Sequence, residues 1–206
     1  MRDELPVESN VRVSLFDRNG RLKDVRESHN VLTNNGAAWL ARLASSAAYP
    51  AGDPTPNTYD RIKYIGLGCG GVLQTTPTFL ATQSALVTVK ALEDPVPYKK
   101  IGNDKYWLKT VDPQVLTPVY FPAATRVRFI LDVLESDLSF ALNETYNQKD
   151  VQSEVPISEA GLYLSSAVPT TANPTQENGL IAYDVFAPIT VTPNNRLRIE
   201  WELRFR

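Results

Sequence analysis

The chain has 206 residues, 43 % of them hydrophobic and 21 % charged, enough for one large β domain and too apolar for a disordered chain. Its 21 basic and 23 acidic residues give a formal net charge of -2, which supplies no global attraction to nucleic acid or to an anionic membrane. No apolar run approaches the ~20 residues that span a bilayer as a helix. Met1–Pro6 lacks the apolar core of a signal peptide, and Cys69 is the single cysteine, so no intrachain disulfide forms and assembly in a cytosol is expected.

Residues 1–9 are polar and are expected to form a flexible or partner-bound arm. Asn10 to Asp17 alternates, with Val11, Val13 and Leu15 on one face. Asp17-Arg18-Asn19-Gly20 is a turn signal, and Arg21 to Leu32 is expected to return as the second strand of an N-terminal hairpin. After Asn34-Asn35-Gly36, the run Ala37 to Ala48 is the one convincing helix. Thr33 or Asn34 is placed to cap it, and Trp39, Leu40, Leu43 and Ala47 share a side that covers a sheet.

Tyr49 to Tyr59 reads as a proline-rich loop, and Arg61 to Leu67 as a strand. Gln83 to Leu92 is expected to be a further strand. Lys105 to Val111 and Gln114 to Phe121 are expected to pair across Asp112-Pro113, with Pro118 marking an edge or a break. Thr125 to Val133 alternates, with Val127, Phe129, Leu131 and Val133 inward, and Leu138 to Leu142 is a weaker strand signal. Asn143 to Val155 and Ser165 to Asn178 read as long loops around the strand Ile157 to Leu164. Leu180 to Phe186 is a strand ended by Pro188, and it is expected to form a hairpin with the last segment across Pro193-Asn194-Asn195.

That last segment has the strongest pattern in the chain. Leu197, Ile199, Trp201, Leu203 and Phe205 alternate with Arg196, Arg198, Glu200, Glu202, Arg204 and Arg206. Successive strand side chains point to opposite faces, so one face belongs to a core and the other to water or a partner. Both signs on the charged face favour cross-strand or intersubunit ion pairs over nucleic-acid binding. These six charged residues are therefore the candidate interface. The whole reads as a mainly β chain: one antiparallel β-sandwich or jelly-roll-like domain over residues 1–206, with one short helix and an N-terminal hairpin.

Chemical motifs are sparse. Gly66-Leu67-Gly68-Cys69-Gly70-Gly71 fits G-x-G-x-x-G after a strand, but Pro77 and the threonines before it oppose the helix that a dinucleotide site requires. A turn of closely packed backbone is the better reading. His29, the single histidine, follows Ser28, yet no G-x-S-x-G elbow is present, so a hydrogen-bonded structural role is expected. One histidine and one cysteine do not make an ordinary zinc site, and Cys69 has no basic cluster to activate it. Asp132, Glu135, Asp137, Glu144 and Glu159 supply acids, and these are read as solvated. Tyr98, Tyr106, Trp107 and Tyr120 are read as core or interface aromatics. A sugar-stacking surface at Tyr106 and Trp107 is the alternative, which would make the chain a carbohydrate-binding module. No catalytic residue, metal or cofactor is expected.

Several stretches resemble tailed-bacteriophage virion structural proteins. Asn30-Val31-Leu32-Thr33-Asn34-Asn35-Gly36-Ala37-Ala38-Trp39-Leu40-Ala41 is similar to their "N-x-(V/L/I)-T-x-x-G, then helix" opening. Ile62 to Gly68 is similar to the apolar strand and G-x-G that follow. Ile157-Ser158-Glu159-Ala160-Gly161-Leu162-Tyr163, then Gly179 to Ile189, then Leu197 to Phe205, is similar to their C-terminal half. The order matches over roughly residues 10–206, apart from the middle. The resemblance implies a non-enzymatic virion component, of neck or collar, tail-fibre attachment or baseplate type. It would be assembled in the host cytoplasm, with other phage structural proteins and copies of itself as partners. It gives no catalytic residue to carry over.

Overall fold

The computed structural model describes residues 7–34, 36–37, 40, 61–76, 79–82, 85–101, 104–116, 125–138, 145–146, 149–150, 154–165, 167 and 179–205. The alternating segments form two antiparallel sheets. In spatial order the first holds β11 (Asp112–Leu116), β12 (Thr125–Val133), β17 (Asn195–Phe205), β1 (Val7–Asp17) and β2 (Leu22–His29). The second holds β10 (Leu108–Thr110), β4 (Ile62–Gly68), β15 (Val155–Leu164), β16 (Leu180–Val191) and β3 (Val31–Leu32), with β7 (Pro95–Val96) added against β4. Three short ribbons complete the described strands: β5 (Val72–Thr76) with β6 (Phe79–Thr82), β8 (Lys99–Ile101) with β9 (Asp104–Tyr106), and β13 (Thr145–Tyr146) with β14 (Lys149–Asp150).

The inner faces of the two sheets meet in one core, as expected of a β-sandwich. Val11, Val13, Phe129, Leu131, Ile199 and Trp201 from the first sheet pack with Ile65, Leu67, Ile157, Leu162, Ile181 and Ile189 from the second. The first sheet is wet on its other face, so β17 alternates strictly between buried and exposed or half-buried residues. The second sheet is covered on both faces, which is why β15 and most of β16 are buried without alternation. Tyr64, Leu92, Leu108, Tyr163, Leu180 and Tyr183 make this second apolar layer.

Trp201 lies at the centre of the β17 ladder, between Val11 on β1 and Phe129 on β12, and has 0 % exposure. Its ring nitrogen donates to Ser9 Oγ at 3.0 Å. The Asn30 side-chain amide, oriented by its hydrogen-bond partners, accepts from the same Nε1 at 2.9 Å and donates to the Ser9 carbonyl at 2.7 Å.

Several expected pairings differ. β17 pairs with β1 and β12 and not with β16. The turn at Thr192–Asn195, closed by Asn195 N–H donating to the Thr192 carbonyl at 3.0 Å, carries the chain from one sheet to the other. The two strands therefore face each other through side chains rather than through a ladder. β16 also runs past Pro188 to Val191, because the β15–β16 register shifts between Ile157 and Glu159 and the irregularity tolerates a residue without N–H. Residues 21–32 are not one strand: β2 ends at His29 in the first sheet, and after Asn30 the chain joins the second sheet as β3.

β10 and β11 likewise belong to different sheets, so Asp112-Pro113 starts an edge strand instead of turning a hairpin. Residues 85–92 are irregular rather than a strand, with Leu92 packed on Tyr163 and the second sheet's outer layer. The ladder begins at Val7, so Val7, Glu8 and Ser9 of the expected arm are paired with Phe205, Arg204 and Leu203. The helix begins after Thr33, and Trp39, Leu43 and Ala47 lie outside the described residues.

Candidate functional site

The motif residues converge on the second sheet. Glu159, in the middle of β15, has 0 % exposure. Its Oε1 accepts from Asp94 N–H at 2.8 Å and from Gly70 N–H at 3.1 Å. Its Oε2 accepts the Tyr183 hydroxyl at 2.8 Å and Glu93 N–H at 3.0 Å. Four donors thus meet the four lone-pair directions of one carboxylate. Burial pushes the Glu159 carboxyl up from its ordinary range, and the bonds from Asp94, Glu93, Tyr183 and Gly70 pull against that rise. The Tyr183 phenol is itself held protonated by burial and by the adjacent Glu159 carboxylate.

The glycine run is the other half of this arrangement. A side chain at Gly68 would meet Glu159 Oε1 at 2.2 Å and the Asp94 carbonyl at 2.7 Å, so only glycine lets the carboxylate reach across. Gly71 N–H donates to Glu93 Oε2 at 2.6 Å, Ser158 Oγ donates to the Gly70 carbonyl at 2.8 Å, and Cys69 N–H donates to the Asp94 carbonyl at 2.8 Å. The G-x-G-x-x-G run continues into strand β5, not into a helix whose N-terminus would hold a pyrophosphate. Chemically this is an internal clasp that ties residues 69–71 and 93–94 to β15 and β16.

A second buried acid, Asp184 on β16, accepts the Ser28 hydroxyl across the seam between the two sheets. Burial pushes its carboxyl up to about 6. His29 Nδ1 lies 2.6 Å from Asn10 Oδ1 instead. Ser28 and His29 therefore bond to different partners, and the three residues do not form the nucleophile–base–orienter chain of a hydrolase.

The predicted interface residues lie together on the wet face of the first sheet. Cross-strand rows run Arg128–Glu202–Asn10–His29 and Asp132–Arg198–Ser14–Val25. Arg198 bonds Asp132 twice, at 2.7 and 3.0 Å, and Arg196 bonds Glu135 at 3.1 Å. Arg128 reaches Glu202 at 3.3 Å and Glu200 at 3.6 Å, while Arg204 lies 3.7 Å from Glu202. Arg206 lies outside the described residues. An open groove of about 710 Å³ crosses this face between Arg12, Glu27, His29, Arg128 and Glu202.

The remaining candidates are dispersed. Asp137 is bound to Lys109 at 2.5 Å, and Glu144 lies outside the described residues. Trp107 is 7 % and Tyr98 2 % exposed, and Tyr106 is half-buried, so Tyr106 and Trp107 do not present an open stacking platform. The expectation of solvated acids fails for Glu159, whose donors come from residues 70, 93, 94 and 183. The local signal was an acid inside the apolar run Ile157–Leu164, and Asp184 inside Leu180–Phe186 carries the same signal. Comparison of the chain with family models, with curated proteins and with solved structures finds no match.

Proposed function

We propose that this chain is a non-enzymatic structural component of a tailed-bacteriophage particle, a collar or neck protein present in several copies around the head–tail axis. Baseplate or tail-fibre attachment is the other placement that the motif order allows. The observation that carries the reading is where the motif residues direct their polar groups. Asn30, Thr33, Glu159 and Tyr183 all bond inward, joining segments of the fold. Such a chain acts through its outer faces, and the ion-paired face of β12, β17 and β1 is the broadest charged surface described.

The test is composition and mapping of purified particles. The chain is expected in several copies per particle, located on the head–tail axis by imaging with a label near Met1. Its absence from purified particles overturns the proposal. A glycan-array screen addresses the carbohydrate alternative, which the burial of Trp107 disfavours.

A further inference from the structure

Strand β2 is the outermost strand of its sheet, and among the described residues only β1 is hydrogen-bonded to it. Val25 marks its open side. Val25 N–H donates to Asp24 Oδ1 at 2.8 Å, and the Val25 carbonyl accepts from Arg26 Nη1 at 3.0 Å. Neither group is directed at β1. Both backbone groups of a strand residue point the same way, so those of Val25 face out along the edge. The Asp24–Arg26 ion pair stands where a neighbouring strand's C=O and N–H would stand.

The sequence of this edge is Lys23-Asp24-Val25-Arg26-Glu27. Its charges run plus, minus, neutral, plus, minus. Read backwards they invert. Two such strands placed antiparallel about Val25 therefore set every charge opposite its complement. A slip of one residue in either direction sets Asp24 against Glu27, or Lys23 against Arg26. Charged edges ordinarily repel a neighbouring strand; this one repels shifted registers and matches its own reverse.

We propose that β2 is a self-pairing edge, through which two copies of this chain join antiparallel about a two-fold axis at Val25. Lys23 faces the second copy's Glu27, and Asp24 faces the second copy's Arg26. The Val25 N–H and C=O exchange bonds with the second copy's Val25, and Asp24 and Arg26 turn from capping Val25 to pairing across the junction. Lys23 and Glu27 are exposed and the three residues between them half-buried, so the strand is accessible to a second chain. Such an isologous junction fuses two five-stranded sheets into one continuous sheet. It rests on β2 alone: a chain absent from phage particles would still pair, and a virion protein could still fail to.

Sedimentation equilibrium of the full chain tests it, with Lys23→Glu and Glu27→Lys variants whose folding is checked by circular dichroism. Wild type is expected to show a concentration-dependent monomer–dimer equilibrium. Each variant sets like charges opposite at two symmetric positions and should weaken association by about tenfold. An equimolar mixture of the two variants restores complementarity and should associate as a heterodimer. A wild type that stays monomeric overturns the proposal. So do variants that associate as well as wild type, or a mixture no stronger than its components.

Discussion

Tyr183 on β16 donates its hydroxyl to Oε2 of Glu159 on the neighbouring β15, at 2.8 Å and out of reach of solvent. The bond links adjacent strands, while Oε1 of the same carboxylate holds Gly70 and Asp94. One side chain thereby fixes three segments far apart in sequence. A glutamine at 159 keeps the shape but turns an NH₂ group toward two of the four donors. Glu159→Gln is expected to lower stability by about 2–4 kcal/mol, because buried donors lose their acceptor. Tyr183→Phe removes a single bond and should cost about 1–2 kcal/mol. Urea unfolding of both variants checks the order, and a smaller loss for Glu159→Gln than for Tyr183→Phe would contradict the four-donor arrangement.

Asp184 sets a pH dependence of definite sign. Its carboxyl is raised from 3.8 to about 6 by burial, with Ser28 and His29 acting against the rise. A raised carboxyl favours the protonated form in the folded chain. The ionised side chain therefore opposes folding above about pH 6, and this opposition fades as pH falls and is gone below 3.8. Asp184→Asn keeps an acceptor for the Ser28 hydroxyl and removes the charge. It should stabilise the chain at pH 7.5 by on the order of 2–3 kcal/mol, with the gain vanishing near pH 4. Chemical unfolding at the two pH values measures this, and an equal effect at both would remove the charge as its cause.

The strands themselves were legible and their partners were not. Thr125–Val133 and the segment ending at Phe205 follow the alternation residue for residue, because a one-sided core writes period two into the sequence. Alternation names the buried face but not the neighbouring strand. The turn at Pro193-Asn194 looks the same whether it closes a hairpin or passes the chain between sheets. The clasp was hidden for a related reason. Glu159 reads as solvated until residues 70, 93, 94 and 183 come together around it, and those separations carry no local pattern. The glycine run was legible as closely packed backbone, because β5 follows it where a nucleotide site needs a helix.

At the start of the helix, Thr33 Oγ accepts from Gly36 N–H at 3.2 Å and donates to the Leu180 carbonyl at 2.8 Å. It caps the helix and fastens it to β16 in one step. A side chain at Gly36 would meet the Ile181 carbonyl at 2.1 Å. Thr33→Ser, which keeps both bonds, should be tolerated. Thr33→Val should cost about 1–2 kcal/mol. Gly36→Ala should cost more than Thr33→Val, since the clash is with backbone that β3 and β15 hold in place. Thermal melts of the three variants give the ranking, and a harmless Gly36→Ala would show that the helix does not pack this closely.

Trp201 joins the core to the crossover between sheets. Its ring has 0 % exposure between Val11 and Phe129, and its nitrogen bonds Ser9 and Asn30, where the chain leaves β2 for β3. Trp201→Ala should cost about 3–5 kcal/mol through lost burial and the cavity left behind. Trp201→Phe separates the two roles, because it keeps an aromatic ring in the core and leaves Ser9 and Asn30 without their shared donor. It should cost less than alanine, and hydrogen exchange should quicken at Asn30 and Val31 more than at Ile199. Protection lost equally along β17 would mean that Trp201 serves the core alone and does not hold the crossover.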